Sequence, residues 1–507
     1  MSIERLIESI GLSAAELKRY LLAEIDEFLE AESPEEKEEE LGDVLFALMS
    51  MAWAHSGRHY PLRVEAFEPK VRQRLRRYGT LTRRPKKFLH DRIPELKFGV
   101  LHFAFGNFAG PWSEFDALRN GTVAEIQLLT EAPFGRDAEP TNHCIVTFDE
   151  NDAIEYQIIG AAPDVGGGNT VLCRIPDFIF RCAKERLTFD ELAGYLSLQV
   201  LAAIEGLALA PGAVAHFHSW ESGVLAASEE FRSHIGSFET IFSPYLTVAR
   251  LESFVKGVGS DGWTMTREEM AIASGYERAL CARSKRIVVE SSLDRDFYGQ
   301  WDQAGRLEPR SFAGEGRVSF PSAPSDERRL HFVAGGRPVR EKGFVEVCRQ
   351  FASVREWAAA RGIEVSLSIL CRERRTEKGS QYIEEIERAV LECGLSDHVT
   401  IEQKTSLDAL KRRVASSAAL IMPSLYDSFG LMATYAVETR RPAFVSRHAG
   451  VSECIASPEF VFDPLIEGSL AAAIAAWYEK RPVFRFESPF PSYRDLYVTA
   501  EGERSWE

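Results

Sequence analysis

The stretch Ala419-Leu-Ile-Met-Pro-Ser-Leu-Tyr-Asp-Ser-Phe-Gly-Leu-Met-Ala-Thr-Tyr-Ala-Val-Glu438 has the pattern of a strand, a short polar loop and a helix. The apolar run before Pro423 is typical of a buried parallel strand. A helix is predicted to begin near Phe429-Gly430, and the free N–H groups and dipole of such a terminus favour a phosphate. The carboxylate of Asp427 in the loop can hold sugar hydroxyls. The stretch therefore predicts a nucleotide-sugar site.

Composition narrows the class of protein. A chain of 507 residues is too long for one ordinary core and predicts two or three domains, and 45% hydrophobic with 27% charged residues is typical of a soluble globular protein. The formal net charge of −16 argues against non-specific nucleic-acid binding. The eight cysteines lack C-x-x-C spacing, and the sequence shows no signal peptide and no apolar run of about 18 residues. We expect a cytoplasmic protein without a membrane span, a disulfide framework or a cysteine zinc site.

From Lys97 onward the pattern is α/β, in two successive parts. Residues 98–105, 144–148, 154–159, 214–220, 241–247 and 286–292 are predicted strands, and 293–327 is read as a joint. The second part alternates strands and helices from 329 to 477, as in a doubly wound sheet. The predicted division is 1–82 (all-α), 83–96 (basic linker), 97–318 (acceptor domain), 319–478 (donor domain) and 479–507 (a tail that could pack back on the N-terminal half).

Residues 1 to about 80 are predicted to be helical, with two apolar stripes at helical spacing. Two acidic pairs at i, i+3 spacing project from these helices: Glu24 with Glu27, and Glu40 with Asp43. Two antiparallel helices could bring the four carboxylates together in the oxygen environment that Mg²⁺ prefers. A solvated acidic face is the alternative.

The acidic segment resembles a known signature. Leu22-Ala-Glu-Ile-Asp-Glu-Phe-Leu-Glu-Ala31, followed by Glu38-Glu-Glu-Leu-Gly-Asp43, is similar to the E-E-x-x-E and E-x-x-D motifs of MazG-type nucleotide pyrophosphohydrolases. The resemblance implies an all-α fold, Mg²⁺ at the four acids, and dimers through this module. Ala23 occupies the place of the family's first Glu, which removes one ligand and argues against hydrolysis.

A basic segment follows in this otherwise acidic chain. Between residues 70 and 87 the sequence has nine Lys or Arg, which are Lys70, Arg72, Arg74, Arg76, Arg77, Arg83, Arg84, Lys86 and Lys87. We interpret it as a solvated hinge, with a phosphate-binding patch as the alternative.

Charged and polar residues follow several predicted strands. Arg337 and Lys342 come just after one strand end, where two cations can neutralise a diphosphate. His216 and His218 end a strand of the first α/β part, and open α/β sheets bind ligands at such ends. As alternatives, the cations could be surface charges, the histidines satisfied strand-end residues, and Asp427 a helix N-cap.

Four motifs in order resemble the retaining glycosyltransferases of GT-B fold, family 4, near the glycogen, sucrose and trehalose synthases. Gly336-Arg-Pro-Val-Arg-Glu-Lys-Gly343 is similar to G-R-x-x-x-x-K-G, and Pro423-Ser-Leu-Tyr-Asp-Ser-Phe-Gly430 to P-S-x-x-E-x-F-G. His216-Phe-His-Ser-Trp-Glu-Ser-Gly223 is similar to H-x-H-x-W-x-x-G, and Arg283 to Ser292 to the family's strand followed by Ser.

The resemblance implies two Rossmann-like domains facing a cleft, with the nucleotide-sugar in the C-terminal one and a small hydroxylated acceptor in the other. It implies catalytic roles for His218, Arg337, Lys342 and Asp427. It implies donor contacts from His216, Gly336, Ser428, Phe429, Gly430, Leu431, Tyr435 and Glu438. Transfer in the family is retaining and needs no metal, cofactor or protein nucleophile.

The sequence departs from the family at one acid. The family's E-x7-E has Asp427 in the first place and Tyr435 in the second, where a Glu would bind the nucleotide ribose. Glu438, one helical turn on, is a candidate substitute. The change predicts an unusual donor; the alternatives are a pyrophosphohydrolase acting through residues 1–82 and a catalytically lapsed nucleotide-binding protein.

Overall fold

The structure is a computed structural model. It describes residues 86–88, 93, 96–105, 126, 129–130, 141–149, 153–161, 168–176, 196–197, 200–205, 207–245, 247–258, 263, 265, 267–301, 305–311, 317–324, 326–371, 377–403, 405–493 and 496–497. The predicted helical module and the predicted linker up to residue 85 therefore lie outside the described residues.

The described chain divides into two compact units. Described residues up to Ile241 form the first unit; those from Phe242 to 497, together with 126 and 129, form the second. In the predicted division residues 242–318 belonged with the acceptor domain, and that division stays a prediction. None of the described helices is both long enough and apolar enough to cross a membrane.

The first unit is built on a mostly parallel sheet. Its strands are β1 (Lys86–Phe88), β2 (Lys97–Phe103), β3 (Asn142–Asp149), β4 (Ala153–Ala161), β5 (Asn169–Pro176), β6 (Ala208–His218) and the start of β7 (Glu239–Ser243). The first six lie in the order β1-β4-β5-β3-β2-β6, with β4 antiparallel to β5 and the other pairings parallel. Two short helices, α1 (Gly223–Ala227) and α2 (Glu229–His234), follow β6.

The centre of this sheet is fully buried. Nearly every side chain of β2 from Phe98 to Phe103 is buried, so the apolar run lies against packed layers on both faces. The sequence analysis did not predict β5, because a glycine-rich turn at 164–168 obscured its start.

The second unit opens with elements that, apart from β8, the sequence analysis placed in the joint at 293–327 or left unassigned. They are α3 (Val248–Val258), α4 (Arg267–Arg283), β8 (Arg286–Val289), α5 (Ser292–Tyr298), β9 (Leu307–Pro309) and β10 (Val318–Pro321). The predicted strand 286–292 ends at Val289, because Ser291 caps α5 by accepting a hydrogen bond from the Asp294 amide.

The main sheet of the second unit follows the predicted doubly wound pattern. Its elements are β11 (Arg329–Gly336), α6 (Phe344–Ala359), β12 (Glu364–Cys371), α7 (Glu377–Glu392), β13 (Val399–Glu402), α8 (Leu407–Ser416), β14 (Ala419–Met422), α9 (Met432–Glu438), β15 (Ala443–Ser446), β16 (Val461–Phe462), α10 (Ser469–Lys480) and β17 (Val483–Phe486). Six parallel strands lie in the order β13-β12-β11-β14-β15-β16. In chain order this is 3-2-1-4-5-6, the arrangement of dinucleotide-binding folds.

Aromatic side chains close the core of this unit. Phe332 of β11 and Phe444 of β15 pack edge-on against Trp477 of α10, with ring centroids 6.3 and 5.6 Å apart. The Trp477 indole donates to the Ser322 carbonyl at 2.5 Å, which satisfies its buried N–H. The predicted tail contributes β17, which pairs antiparallel with β10.

Candidate active site

The candidate site lies where the strand order of the second sheet reverses. β11 pairs with β12 on one side and with β14 on the other. After β11 the chain continues toward one edge of the sheet, and after β14 it continues toward the other edge. Open α/β sheets bind ligands at this position, beyond the carboxyl ends of the strands. Both motifs of the sequence analysis follow these ends: 336–343 after β11 and 423–430 after β14.

The two loops are fixed to each other through their backbones. A 3₁₀ turn, Arg340–Lys342, ends at Gly343, which has a left-handed φ of 66°. The Leu425 amide donates to the Glu341 carbonyl at 2.8 Å, across the switch point. A Cβ at Gly343 would lie 2.0 Å from the Pro423 carbonyl oxygen, so only glycine allows this approach. The position of Lys342 is therefore set by the loop that carries Asp427.

Lys342 and Asp427 form the ionic centre of the site. The Lys342 Nζ lies 2.5 Å from the Asp427 Oδ2, and the Ser424 hydroxyl donates to the same oxygen at 3.4 Å. The two charged side chains are 21% and 17% exposed, so both are reachable by a ligand. Asp427 is not the N-cap of α9, since Leu431 holds that position, and the capping alternative is excluded.

The loop after Asp427 presents unused backbone donors. Within the described part of the chain, the amides of Ser428, Gly430 and Leu431 donate no hydrogen bond. The helix begins at Met432 rather than near Phe429-Gly430, because Gly430 adopts a φ of 109° that helical residues do not. Successive free amides beside a cation form a concave site for an oxyanion.

Arg337 provides a second cation next to the pair. It directly follows Gly336, the last residue of β11, and its side chain is exposed. Among the described residues its guanidinium has no hydrogen-bond or ion-pair partner. A guanidinium without a protein partner keeps its donors available for an anionic ligand.

Tyr426 fixes the loop that carries Asp427 through its buried hydroxyl. Its buried hydroxyl accepts a hydrogen bond from the Thr247 amide at 2.9 Å and lies 3.0 Å from the Ser428 hydroxyl. The Arg250 guanidinium lies 5.1 Å from the centre of the Tyr426 ring and forms an ion pair with Asp294 at 2.9 Å. These contacts join Thr247, Arg250 and Asp294 to the loop that carries Asp427. They explain why these three residues belong to the second unit.

A second glycine fixes the loop from the side of β15. The Gly450 amide donates to the Asp427 carbonyl at 3.0 Å, and the Val451 amide donates to the Phe429 carbonyl at 2.7 Å. A Cβ at Gly450 would lie 1.9 Å from the Ser428 carbonyl oxygen. The backbone that carries Asp427 is thus held on both sides.

A buried carboxyl lies close to this ionic centre. Glu290, at the end of β8, is 5% exposed. Burial raises its pKa well above the ordinary value, and the nearby charges of Asp294 and Asp427 raise it further. A raised pKa favours the protonated carboxylic acid, the form that can donate a hydrogen bond.

The place of the second motif acid has a different chemistry. Tyr435 is 9% exposed, and the Lys411 Nζ lies over its ring at 4.6 Å from the centroid. Glu438 lies on the exposed side of α9 and forms an ion pair with Lys411 at 3.3 Å. A lysine and an aromatic ring thus occupy the region where the family has a carboxylate, and Glu438 is engaged with that lysine.

Comparison with protein families gives a match over the same region. Residues 258–474 match the model described as family 4 glycosyltransferase in conflict systems. This part of the chain is therefore similar to family 4 glycosyltransferases. This region contains Arg337, Lys342 and Asp427, whereas His216 and His218 precede it. A comparison with curated proteins finds no match.

Solved structures resemble a larger part of the chain. A sucrose-phosphate synthase from Thermosynechococcus elongatus has 18% identity and a TM-score of 0.54, over 76% of this chain and 90% of its own. The E. coli trehalose-6-phosphate structure bound with UDP-2-fluoro glucose has 12% identity and a TM-score of 0.51, over 75% and 92%. The trehalose-6-phosphate synthase OtsA has 12% identity and a TM-score of 0.52, again over 75% and 92%. At these identities the likeness shows the fold, which is the predicted GT-B class of Rossmann-like domains.

The histidines predicted to contact the donor lie in the interior of the first unit. His216 and His218 are both 0% exposed at the end of β6. They pack against His102 of β2, and His102 in turn contacts His143 of β3. Their predicted contacts with the sugar stay a prediction. Just beyond them, Ser219 has a positive φ of 64°, a strained conformation for a residue with a Cβ.

Other predicted residues fall outside the site or outside the described chain. The four acids of the N-terminal module lie outside the described residues; they are Glu24, Glu27, Glu40 and Asp43. The magnesium site, the hydrolase activity and the dimer that were predicted from this module therefore stay predictions. Trp263, a large aromatic residue that could stack on a sugar, is 2% exposed and packs against Phe254. It is a core residue.

The sequence analysis missed the residues that hold the loops together. Gly343 was quoted only as part of a motif, and Tyr426, Gly450 and Glu290 were not singled out. Gly343 had a visible signal, because a glycine between two elements commonly marks a left-handed turn. Tyr426, Gly450 and Glu290 have no such signal in the sequence, since their roles depend on contacts between residues that are distant in sequence.

Proposed function

We propose that the protein is a retaining glycosyltransferase that moves a sugar from a nucleotide-diphospho-sugar to a small hydroxylated acceptor. One observation carries the proposal: the Lys342–Asp427 pair lies beside free loop amides at the switch point of a 3-2-1-4-5-6 sheet. Cation, carboxylate and amides match the three parts of a donor, which are the diphosphate, the sugar hydroxyls and a phosphate oxygen.

The cations act on the leaving group in this proposal. Arg337 and Lys342 bind the diphosphate and stabilise the charge that develops on it as the glycosidic bond breaks. In the free protein Lys342 pairs with Asp427; the diphosphate then competes for the ammonium, and the released carboxylate accepts hydrogen bonds from the sugar. The amides of Ser428, Gly430 and Leu431 donate to a phosphate oxygen.

Retention follows if the acceptor attacks from the face that the diphosphate leaves. A phosphate oxygen then takes the acceptor's proton, so the step requires no protein nucleophile. We propose that transfer requires no metal ion, because Arg337 and Lys342 supply the positive charge. His216 and His218 are left out of this donor site because neither has exposed surface.

The similar structures suggest which donors to test first. One of them was bound with UDP-2-fluoro glucose, which makes UDP-glucose the first donor to test. The Lys411–Tyr435 stack at the place of the ribose-binding acid favours a panel that also contains ADP-, GDP- and dTDP-sugars. A cytoplasmic location belongs to the same proposal and agrees with the seven free cysteines among the described residues.

A thermal-shift screen of this panel, followed by a transfer assay with each stabilising donor, tests the proposal. We expect at least one nucleotide-sugar to raise the melting temperature of the wild type and to lose this effect in Arg337→Ala. The matched control is Arg329→Ala, which removes an exposed arginine from the opposite end of the same strand. Stabilisation without turnover would indicate a nucleotide-binding protein, and no stabilisation by any donor would contradict the proposal.

A further inference from the structure

Three histidines meet on one face of two neighbouring strands in the first unit. His102 of β2 lies directly opposite His216 of β6 in the parallel register. His218 is two residues farther along β6, so its side chain points to the same face. The register alone therefore brings three imidazoles together from positions separated by more than 100 residues.

The distances between these imidazoles fit a common ligand. One nitrogen from each ring can be chosen so that all three lie within 4.8 Å of one another. The closest pair, His102 Nδ1 and His218 Nε2, is 2.9 Å apart, and the His216 and His218 rings are 3.9 Å apart between centroids. Two nitrogens bound to one tetrahedral Zn²⁺ at ordinary bond lengths are roughly 3.3 Å apart. The observed separations of 2.9 Å and at most 4.8 Å lie on either side of this value.

A fourth histidine supports the cluster from behind. His102 Nε2, the nitrogen that faces away from His218, lies 2.9 Å from His143 Nδ1. Metal-binding histidines usually engage their second ring nitrogen with a neighbouring group, which fixes the tautomer and the ring orientation. His143 is therefore a positioning residue, and His102, His216 and His218 are the candidate ligands.

The chemistry of this cluster indicates which kind of ion it could bind. All four histidines are at most 1% exposed. A set of nitrogen ligands without a carboxylate suits zinc and its transition-metal neighbours rather than magnesium or calcium.

We propose that His102, His216 and His218 bind one divalent transition-metal ion, with Zn²⁺ as the ion to test, and that this ion stabilises the first unit. Nitrogen ligands from two strands would join the centre of the sheet, so the free energy of metal binding would add to the stability of the fold. The competing interpretation is a chain of hydrogen-bonded neutral histidines without an ion, which the contacts of His102 with His218 and His143 would also satisfy.

Zinc content measured on the full-length protein separates the two interpretations. The protein is stripped with a chelator, incubated with excess Zn²⁺, desalted and analysed for bound metal by mass spectrometry. We expect the wild type to hold one more equivalent of Zn²⁺ per chain than His216→Asn. Comparing the two proteins cancels zinc bound elsewhere, for example at the N-terminal acids.

Two further variants sharpen this test. His234→Asn is the matched control, because His234 is an exposed histidine of the same unit, and it should bind as much zinc as the wild type. His143→Asn should still bind one equivalent of Zn²⁺ per chain. Its affinity, measured in competition with a zinc indicator, should be roughly 10- to 100-fold weaker, which is the usual result of removing a residue that orients a metal ligand.

Melting curves of the metal-free proteins show whether His216→Asn still folds. Added Zn²⁺ should raise the melting temperature of the wild type and of His234→Asn but not that of a folded His216→Asn. If His216→Asn does not fold, the test uses the chelator-stripped wild type by itself. A rise of its melting temperature on addition of Zn²⁺ would then support the proposal. Equal zinc content in wild type and a folded His216→Asn, or no gain in the stripped wild type, would overturn the proposal and leave the hydrogen-bonded chain.

Discussion

The two units place polar side chains near the ends of buried parallel strands in opposite ways. In the second unit Lys342 and Asp427 are charged, paired and partly exposed beside free amides. In the first unit His216 and His218 are fully buried against other histidines. The difference shows that a polar strand end in an α/β sheet is not by itself a nucleotide-sugar site. Exposure and unused donors are the features that separate the two.

The largest expected effect concerns the cations of the second unit. Replacing Lys342 with Ala should lower kcat of sugar transfer by about 10²- to 10³-fold, the usual result of removing one donor from a developing charge. Arg337→Ala should behave similarly, and Arg329→Ala should match the wild type. Initial rates at saturating donor concentration measure kcat for each protein. A wild-type rate for Lys342→Ala would contradict a catalytic site at Lys342 in the second unit.

The carboxylate is expected to matter next. Asp427→Asn keeps the size of the side chain but removes the charge that accepts sugar hydroxyls and pairs with Lys342. Hydrogen bonds to charged groups contribute about 1.5–3 kcal/mol, so kcat/KM should fall about 10- to 100-fold. An unchanged kcat/KM at an unchanged melting temperature would show that Asp427 only positions Lys342.

The loop geometry can be tested with two glycines of equal backbone conformation. Gly343 and Gly362 have φ values of 66° and 67°, but a Cβ would clash with the Pro423 carbonyl only at Gly343. Gly343→Ala should therefore lower the free energy of unfolding by about 2 kcal/mol more than Gly362→Ala, the ordinary cost of overpacking. Urea denaturation measures the difference, and equal losses would mean that the two loops are not held as described.

A buried acid that lies away from the ionic centre gives a separate test, in the pH dependence of stability. Glu277 accepts hydrogen bonds from the Val248 and Ala249 amides, and burial raises its pKa to about 8 despite these bonds. Between about pH 4.5 and 8 the folded state keeps a proton that the unfolded state has released, so stability falls as pH rises. The slope should approach about 1.4 kcal/mol per pH unit and disappear in Glu277→Gln.

The control for this measurement is Glu364→Gln, which replaces an exposed carboxylate of β12 and should leave the slope unchanged. Urea midpoints at several pH values between 4.5 and 8 give the slope for each protein. A slope that persists in Glu277→Gln would assign it to another group.

Much of the second unit could be predicted from sequence. The strands at 329–336, 364–371 and 443–446 are short apolar runs between clear helical patterns, and they lie within a residue or two of the predicted bounds. The motif loops were placed correctly because Gly336, Pro423 and their neighbours mark strand ends. Sequence pattern determines such elements locally.

The remaining features depend on long-range packing. The boundary near residue 241 follows from Tyr426 bonding Thr247 and from Arg250 bonding Asp294, which no local pattern reveals. The histidine cluster likewise needed the register of β2 with β6, and the sequence analysis had singled out only His216 and His218. His102 and His143, in apolar strand runs, gave a weak signal that became meaningful only in three dimensions.

The most direct test of the central claim is the binding of a nucleotide-sugar to the switch point of the second sheet. Calorimetric titration of the best donor from the screen into wild type, Arg329→Ala, Arg337→Ala and Lys342→Ala compares the four proteins under one condition. We predict equal dissociation constants for wild type and Arg329→Ala, and at least about tenfold weaker binding for the other two, since each loses a charged hydrogen-bond donor. Equal binding by all four folded proteins would contradict a donor site at Arg337, Lys342 and Asp427.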